Sequence, residues 1–122
     1  MEFLDTAHKL KIFTIQQCVN FPKRYTFYIT TEIAQTANEI LTNVKCGNSV
    51  YPTNPHEVQV RRDYFMKAYA LAQALISQLN AACEIFPISG KAMVQWMGLI
   101  HSELNLLKGL MDADKKRYKN LT

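Results

Sequence analysis

Residues 65–82, with the sequence FMKAYALAQALISQLNAA, decide the fold class of this chain. Apolar side chains recur there at helical spacing, so one face of a helix would carry all of them. The positions on that face are Phe65, Ala68, Ala72, Leu75, Leu79 and Ala82. The stretch therefore predicts an amphipathic α-helix whose apolar face must be covered by other parts of the chain.

Breaker segments on both sides of this stretch predict where the other helices begin and end. They lie at residues 20–22, 47–55 and 86–90, and each contains proline. Asp5 and Ser89 are good N-caps for the first and last helices. Pro22 suits the first turn of a second helix, and Gly47 suits its C-cap.

The helices predicted in this way define the architecture. No segment between the breakers shows the sustained alternation of a strand, and short or moderate loops favour antiparallel neighbours. We predict an all-α fold, an antiparallel up-down-up-down four-helix bundle that forms a single domain over residues 1–122. Its helices are expected at about 5–19, 22–46, 55–84 and 89–118.

Each of the other predicted helices carries its own apolar positions. In the first helix they are Leu10, Phe13, Ile15 and Val19, and in the second they are Ile29, Ile33, Ala37, Ile40 and Val44. The fourth helix has a heptad seam of Met93, Met97, Ile100, Leu104, Leu107 and Met111. A second row beside this seam consists of Trp96, Leu99, Leu106 and Leu110. Either the first helix buries that row, or the row is the oligomer interface to another copy of the chain.

Composition and charge set bounds on function. The chain has 122 residues, of which 48% are hydrophobic, a formal net charge of +4 and a pI of about 9.0. This basic excess is compatible with an anionic partner. Residues 1–5, MEFLD, carry acids where a signal peptide would carry bases, and no apolar run is long enough to span a bilayer. We therefore expect a cytoplasmic protein with no membrane partner.

The residue types that usually carry catalysis are scattered along the chain. Its three histidines lie in different predicted segments, and none is spaced from a second ligand as in a metal-binding helix motif. Cys18, Cys46 and Cys83 are far apart and share no CxxC spacing. The glycines are isolated, so no phosphate-binding glycine-rich loop is present. We expect neither enzyme activity nor a metal or cofactor.

The basic residues are better organised than the acids. In an up-down bundle, the start of the third helix, with Arg61 and Arg62, lies at the same end as the close of the fourth helix, with Lys115, Lys116 and Arg117. Cations at the end of a helix are favoured by its dipole, whereas cations at a helix start are not. Arg61 and Arg62 therefore require another explanation, and phosphate binding is one.

Three motifs resemble a known family. They are residues 21–25, FPKRY, before an Ile/Ala-rich run, residues 62–70, RDYFMKAYA, and the closing pattern from Trp96 to Leu110. From Phe13 onward the chain resembles a bacterial family of small four-helix bundle proteins. One branch is encoded in intervening sequences of large-subunit ribosomal RNA genes. The other, to which the later motifs are similar, is the accessory variability determinant of diversity-generating retroelements.

The resemblance implies a non-enzymatic protein that assembles into a homo-oligomeric ring, commonly a homopentamer. Its basic surface would bind RNA or an RNA/DNA hybrid together with the reverse transcriptase of the retroelement. The positions expected to contact nucleic acid are Arg61, Arg62, Lys67, Lys23 and Arg24, with Lys115, Lys116 and Arg117 from the basic end. The alternative hypothesis is a structural or protein-interaction bundle that does not bind nucleic acid.

Overall fold

The computed structural model of the protein describes residues 1–121, and all the regular secondary structure in that range is helical. α1 packs against α2 and α4, and α3 also packs against α2 and α4, so the four helices enclose one core. None of the helices in the described range is long and apolar enough to span a membrane. The helices are α1 (Glu2–Cys18), α2 (Thr31–Asn48), α3 (Pro55–Ile85) and α4 (Gly90–Arg117).

The starts of α3 and α4 follow the capping chemistry of the sequence. The Asn54 carboxamide oxygen accepts a hydrogen bond from the backbone N–H of Glu57 at 2.9 Å, and Pro55 is the first helical residue. The Ser89 hydroxyl accepts from the backbone N–H of Ala92 at 3.4 Å, as predicted. The prediction for α1 was wrong, because this helix begins at Glu2 and its N-cap is Met1 rather than Asp5.

The segment after Pro22 also differs from the prediction. Instead of an α-helix from Pro22, the chain forms a 3₁₀ turn at Lys23–Tyr25 and a π turn at Thr26–Thr30 before α2 begins. The rings of Phe21 and Tyr25 both contact Phe86, with centroid distances of 4.9 Å and 5.5 Å. This aromatic packing between two breaker segments competes with the regular helical register.

The apolar face predicted for α3 is buried at all six positions, which confirms the prediction from residues 65–82. In α2 the predicted positions from Ile33 onward are buried as well. The stripe of α1 was partly wrong, since Ile15 is exposed and Val19 is 79% exposed. Thr14 and Cys18 take their place on the buried face of α1.

The second row predicted on α4 is divided between one buried residue and three half-buried ones. Trp96 is fully buried, and its indole N–H donates to the Thr14 hydroxyl at 2.8 Å. Its ring also packs edge-on against Phe13 of α1, at a centroid distance of 5.3 Å. The assignment of Trp96 to an oligomer interface was therefore wrong, and burial by α1 is the correct alternative for this residue. The remaining members of the row, Leu99, Leu106 and Leu110, are half-buried.

Glu103 is the unusual residue of the core. Its side chain is fully buried on α4, and neither carboxylate oxygen has a hydrogen-bond partner within the described residues. Because burial penalises the charged form, the pKa of Glu103 rises from its ordinary value of 4.5 to about 8. The folded protein therefore holds this carboxyl group in its neutral form at pH 7.

A buried acid of this kind makes stability depend on pH. Protonated Glu103 keeps the free energy of unfolding at its full value below the unfolded pKa of 4.5. This stability is lost as pH rises through the folded pKa of about 8. Between these values the free energy of unfolding should fall by up to about 1.4 kcal/mol per pH unit. Urea unfolding from pH 5 to pH 9 should show this slope up to about pH 8 in the wild type and a much smaller one in Glu103→Gln. Glu84→Gln, at an exposed position, is the control, and a slope that survives in Glu103→Gln would contradict the assignment.

Gly47 is a packing residue rather than the predicted C-cap. It lies inside α2, whose C-cap is Ser49, and its φ angle is not positive. A Cβ atom on Gly47 would lie 2.6 Å from Cε1 of Phe65 and 2.8 Å from Cδ1 of the same ring. Phe65 is fully buried, so this close approach of α2 to α3 requires the absence of a side chain at position 47.

Substituting alanine at two helical glycines should separate packing from helix propensity. Gly47→Ala should destabilise the protein by about 1–3 kcal/mol because the buried Phe65 ring must move. Gly98→Ala on α4 meets nothing within 4 Å and should stabilise by about 0.5–1 kcal/mol. Thermal or urea unfolding of both variants measures the difference. Equal effects would show that the Phe65 contact is unimportant.

Candidate nucleic-acid interface

Arg61 is buried at the start of α3 and joins three parts of the chain. Its Nε donates to Asp114 of α4 at 2.6 Å, and its Nη2 donates to the other carboxylate oxygen at 3.3 Å. Its Nη1 donates to the carbonyl oxygens of Gly47 at 3.2 Å and Val50 at 3.0 Å. The guanidinium also lies 4.9 Å from the centroid of the Phe65 ring. Arg61 therefore fastens the end of α2 and the loop after it to α3 and α4.

This geometry corrects the role predicted for Arg61. The residue is 5% exposed, and the Asp114 carboxylate neutralises its charge, so it is not available to a phosphate. The presence of an arginine at a helix start, which dipole considerations disfavour, is explained by this ion pair. Of the adjacent pair, Arg62 is the one whose side chain reaches the surface.

Asp114 was not identified from the sequence as a functional position, although a signal was present. It lies seven residues after Leu107, so it continues the buried face of α4 by two further turns. Arg61 in the same way lies four residues before Phe65 on the buried face of α3. Opposite charges at core positions of two helices predict a buried pair, and this pattern would have revealed it.

Next to this ion pair, α3 and α4 enclose an open cavity of about 300 Å³, which we call the α3–α4 cavity. Asp114 forms part of its lining, with both carboxylate oxygens already engaged by Arg61. The cavity combines apolar and basic groups. The residues that line it are Val58, Gln59, Arg62, Met111, Asp114, Lys115 and Tyr118.

The free charge at this cavity is positive. Within residues 1–121, neither Arg62 nor Lys115 forms an ion pair with a carboxylate. Lys116 and Arg117 are exposed on the same turn of α4, and the Arg117 guanidinium lies 4.0 Å from an Asp114 oxygen. The predicted basic residues at the end of α4 are therefore brought next to Arg62, and together they could hold an anion.

The other predicted basic positions lie elsewhere. Lys67 is exposed on α3, more than one turn beyond Arg62. Lys23 and Arg24 are exposed in the 3₁₀ turn that precedes α2, where Arg24 lies over the Tyr25 ring. Tyr25 stacks on Phe86, which is about 36 Å along the α3 axis from Arg62 at 1.5 Å per residue. Lys23 and Arg24 therefore do not share a surface with the cavity.

No group of three or more His, Cys, Asp or Glu side chains suited to a metal ion occurs in the described part of the chain. The three cysteines are free thiols, and burial raises the pKa of Cys18 to about 11. Because a thiol is nucleophilic only as the thiolate, Cys18 is an unreactive core residue at pH 7.

Removing the acidic partner of Arg61 should unfold this end of the protein more readily. In Asp114→Ala the guanidinium would stay buried without its counter-charge, and the free energy of unfolding should fall by about 3–5 kcal/mol. Asp112→Ala removes the same charge at an exposed position of the same helix and should change it by no more than about 0.5 kcal/mol. Urea unfolding of both variants tests this, and similar losses would exclude a structural role for the ion pair.

Comparisons with known proteins do not identify the chain. Neither a protein-family model, nor a curated protein, nor a solved structure matches it. The family resemblance of residues 21–25, 62–70 and 96–110 therefore stays a prediction.

Proposed function

We propose that this protein is a non-enzymatic RNA-binding accessory protein and that RNA binds at the end of the molecule where α3 begins and α4 ends. One observation carries the proposal. Among the described residues, Arg62 and Lys115 have no ion-pair partner, and from two adjacent helices they flank a cavity whose acid, Asp114, is already neutralised. Phosphate groups are the anions that such a pair of basic side chains binds well.

The basic end offers more than two contacts. Lys116 and Arg117 extend the basic surface along the last turn of α4, where cations offset the negative end of the helix dipole. Electrostatic contacts of this kind supply most of the affinity of sequence-independent RNA binding. The surface is therefore suited to the backbone of a structured RNA.

The wider proposal follows the family resemblance. We propose that the protein acts as a homo-oligomer, as in the homopentameric rings of the family. We also propose that it assists the reverse transcriptase of a diversity-generating retroelement in the cytoplasm. The wider proposal also takes the helices to run up-down-up-down. Contacts support that order, because Arg61 at the start of α3 meets Asp114 at the end of α4, and Phe3 at the start of α1 lies 6.0 Å from Phe65.

Charge removal at the basic end tests the RNA-binding role. The triple variant Lys115→Gln, Lys116→Gln, Arg117→Gln should bind a structured RNA more weakly than the wild type. Because each lost phosphate contact removes one released counter-ion, the slope of log K against log salt should become shallower by roughly 2. Mobility-shift titrations over a salt series give both quantities, and circular dichroism checks the fold.

A matched variant at the other end is the control. Lys23→Gln, Arg24→Gln and Lys91→Gln together remove the same three charges from exposed positions near Phe86. This variant should keep the wild-type affinity and salt slope. If it weakens binding as much as the first variant does, the RNA site is not at the cavity. If the wild type binds no RNA at low salt, the proposed function is wrong.

A second candidate function rests on a different surface. Phe27 and Tyr28, in the π turn before α2, are 84% and 74% exposed and contact each other edge-on at a centroid distance of 5.2 Å. Large exposed aromatic side chains are typical of protein-interaction sites. A protein-interaction bundle is therefore the alternative if RNA does not bind.

A further inference from the structure

We propose that the α3–α4 cavity binds one unpaired nucleotide of the RNA, with its phosphate at Arg62 and Lys115 and its base inside the cavity. This inference rests on the proposed function and adds to it the element of RNA structure that the protein recognises. It would make the protein a reader of bulges, loops or strand ends, and not only of duplex backbone.

The size of the cavity limits the occupant. At about 300 Å³ it lies at the lower end of the range for small-molecule sites, roughly 300–1,000 Å³. A groove of this size accepts a single nucleotide-sized group. An α-helix or a strand of another protein would require a much longer groove.

The positive charges around the cavity favour an anionic ligand that contacts both α3 and α4. Arg62 projects from α3 and Lys115 from α4, so basic groups lie on both helices that form the walls. The Asp114 carboxylate would repel an anion if it were free, but Arg61 binds it through both oxygens. With Arg61 included, the formal charge of these four groups is +2.

The apolar part of the lining distinguishes a nucleotide from a simple inorganic anion. Val58 and Met111 provide aliphatic and thioether surface, and Tyr118 provides an aromatic ring close to the basic groups. Inorganic phosphate would leave this surface in contact with water. A base bound beside its own phosphate would cover it, and base contacts with such side chains add to backbone binding.

The base can enter only if it is unpaired. In an A-form duplex the bases are stacked and their faces are covered, whereas bases in bulges and loops can be turned outward. The cavity is therefore matched to a single-stranded position, while the exposed Lys116 and Arg117 beside it are suited to the flanking phosphates.

Two RNA probes test this distinction. One is a regular RNA hairpin duplex, and the other is the same hairpin with a one-nucleotide bulge. The wild-type protein should bind the bulged RNA about tenfold more tightly at the same salt concentration. Lys115→Gln and Arg62→Gln should each remove most of this preference.

The neighbouring lysine gives a matched control. Lys116→Gln removes the same charge one residue further along α4, outside the cavity lining. It should weaken binding to both RNAs by the same factor and leave the preference intact. Val58→Phe, which narrows the cavity without changing charge, should lower the affinity for the bulged RNA only, provided that circular dichroism shows an unchanged fold.

The outcomes separate the inference from the proposed function. Binding of both RNAs without a preference, or equal effects of Lys115→Gln and Lys116→Gln, overturns the nucleotide site and leaves general RNA binding in place. Loss of preference confined to the three cavity variants supports the site. Failure to bind either RNA overturns the proposed function together with the inference.

Discussion

The ion pair between Arg61 and Asp114 is the contact on which this end of the structure depends. Taking two charges out of water is costly, and the cost is recovered only if the remaining donors and acceptors are satisfied. Arg61 meets this condition because it also donates to the carbonyl oxygens of Gly47 and Val50. The same contact has an electrostatic result, since it removes a free carboxylate from the cavity between α3 and α4. Packing and binding chemistry are thus coupled through one side chain.

The buried face of α4 carries three polar groups that differ in their hydrogen bonding. Trp96 finds a hydroxyl partner on α1, and Asp114 finds a guanidinium on α3. Glu103 lies between them on the same helix and has no partner in the described structure. The first two contacts define which helices α4 touches, whereas Glu103 lowers stability as an unpaired polar group, and most of all in its charged form. Polar contacts therefore tie α4 to α1 and to α3, whereas the helix carries between them a carboxyl group without a partner among the described residues.

Predictions from the sequence were most accurate for features that depend on the residues of a single helix. The buried face of α3 and the cap at Ser89 are local properties of spacing and side-chain chemistry. The predictions failed where partners are distant in sequence. Arg61 was interpreted as a surface residue because its acid lies 53 positions away, and the packing role of Gly47 depends on a ring of another helix. In the candidate site, Arg62 and the basic residues at the end of α4 were predicted. The structure was needed to show which of them have no ion-pair partner among the described residues.

The hydrogen bond between Thr14 and Trp96 has a consequence for synthesis of the protein. α1 is synthesised before the other three helices of the bundle, and its partner on α4 follows 82 residues later. At translation rates of about 5–20 residues per second, α1 must wait several seconds with its buried face uncovered by α4. During that time α2 and α3, which are consecutive and in contact, can already form a hairpin. Closure of the core against α4 is therefore a late event in the synthesis of these four helices.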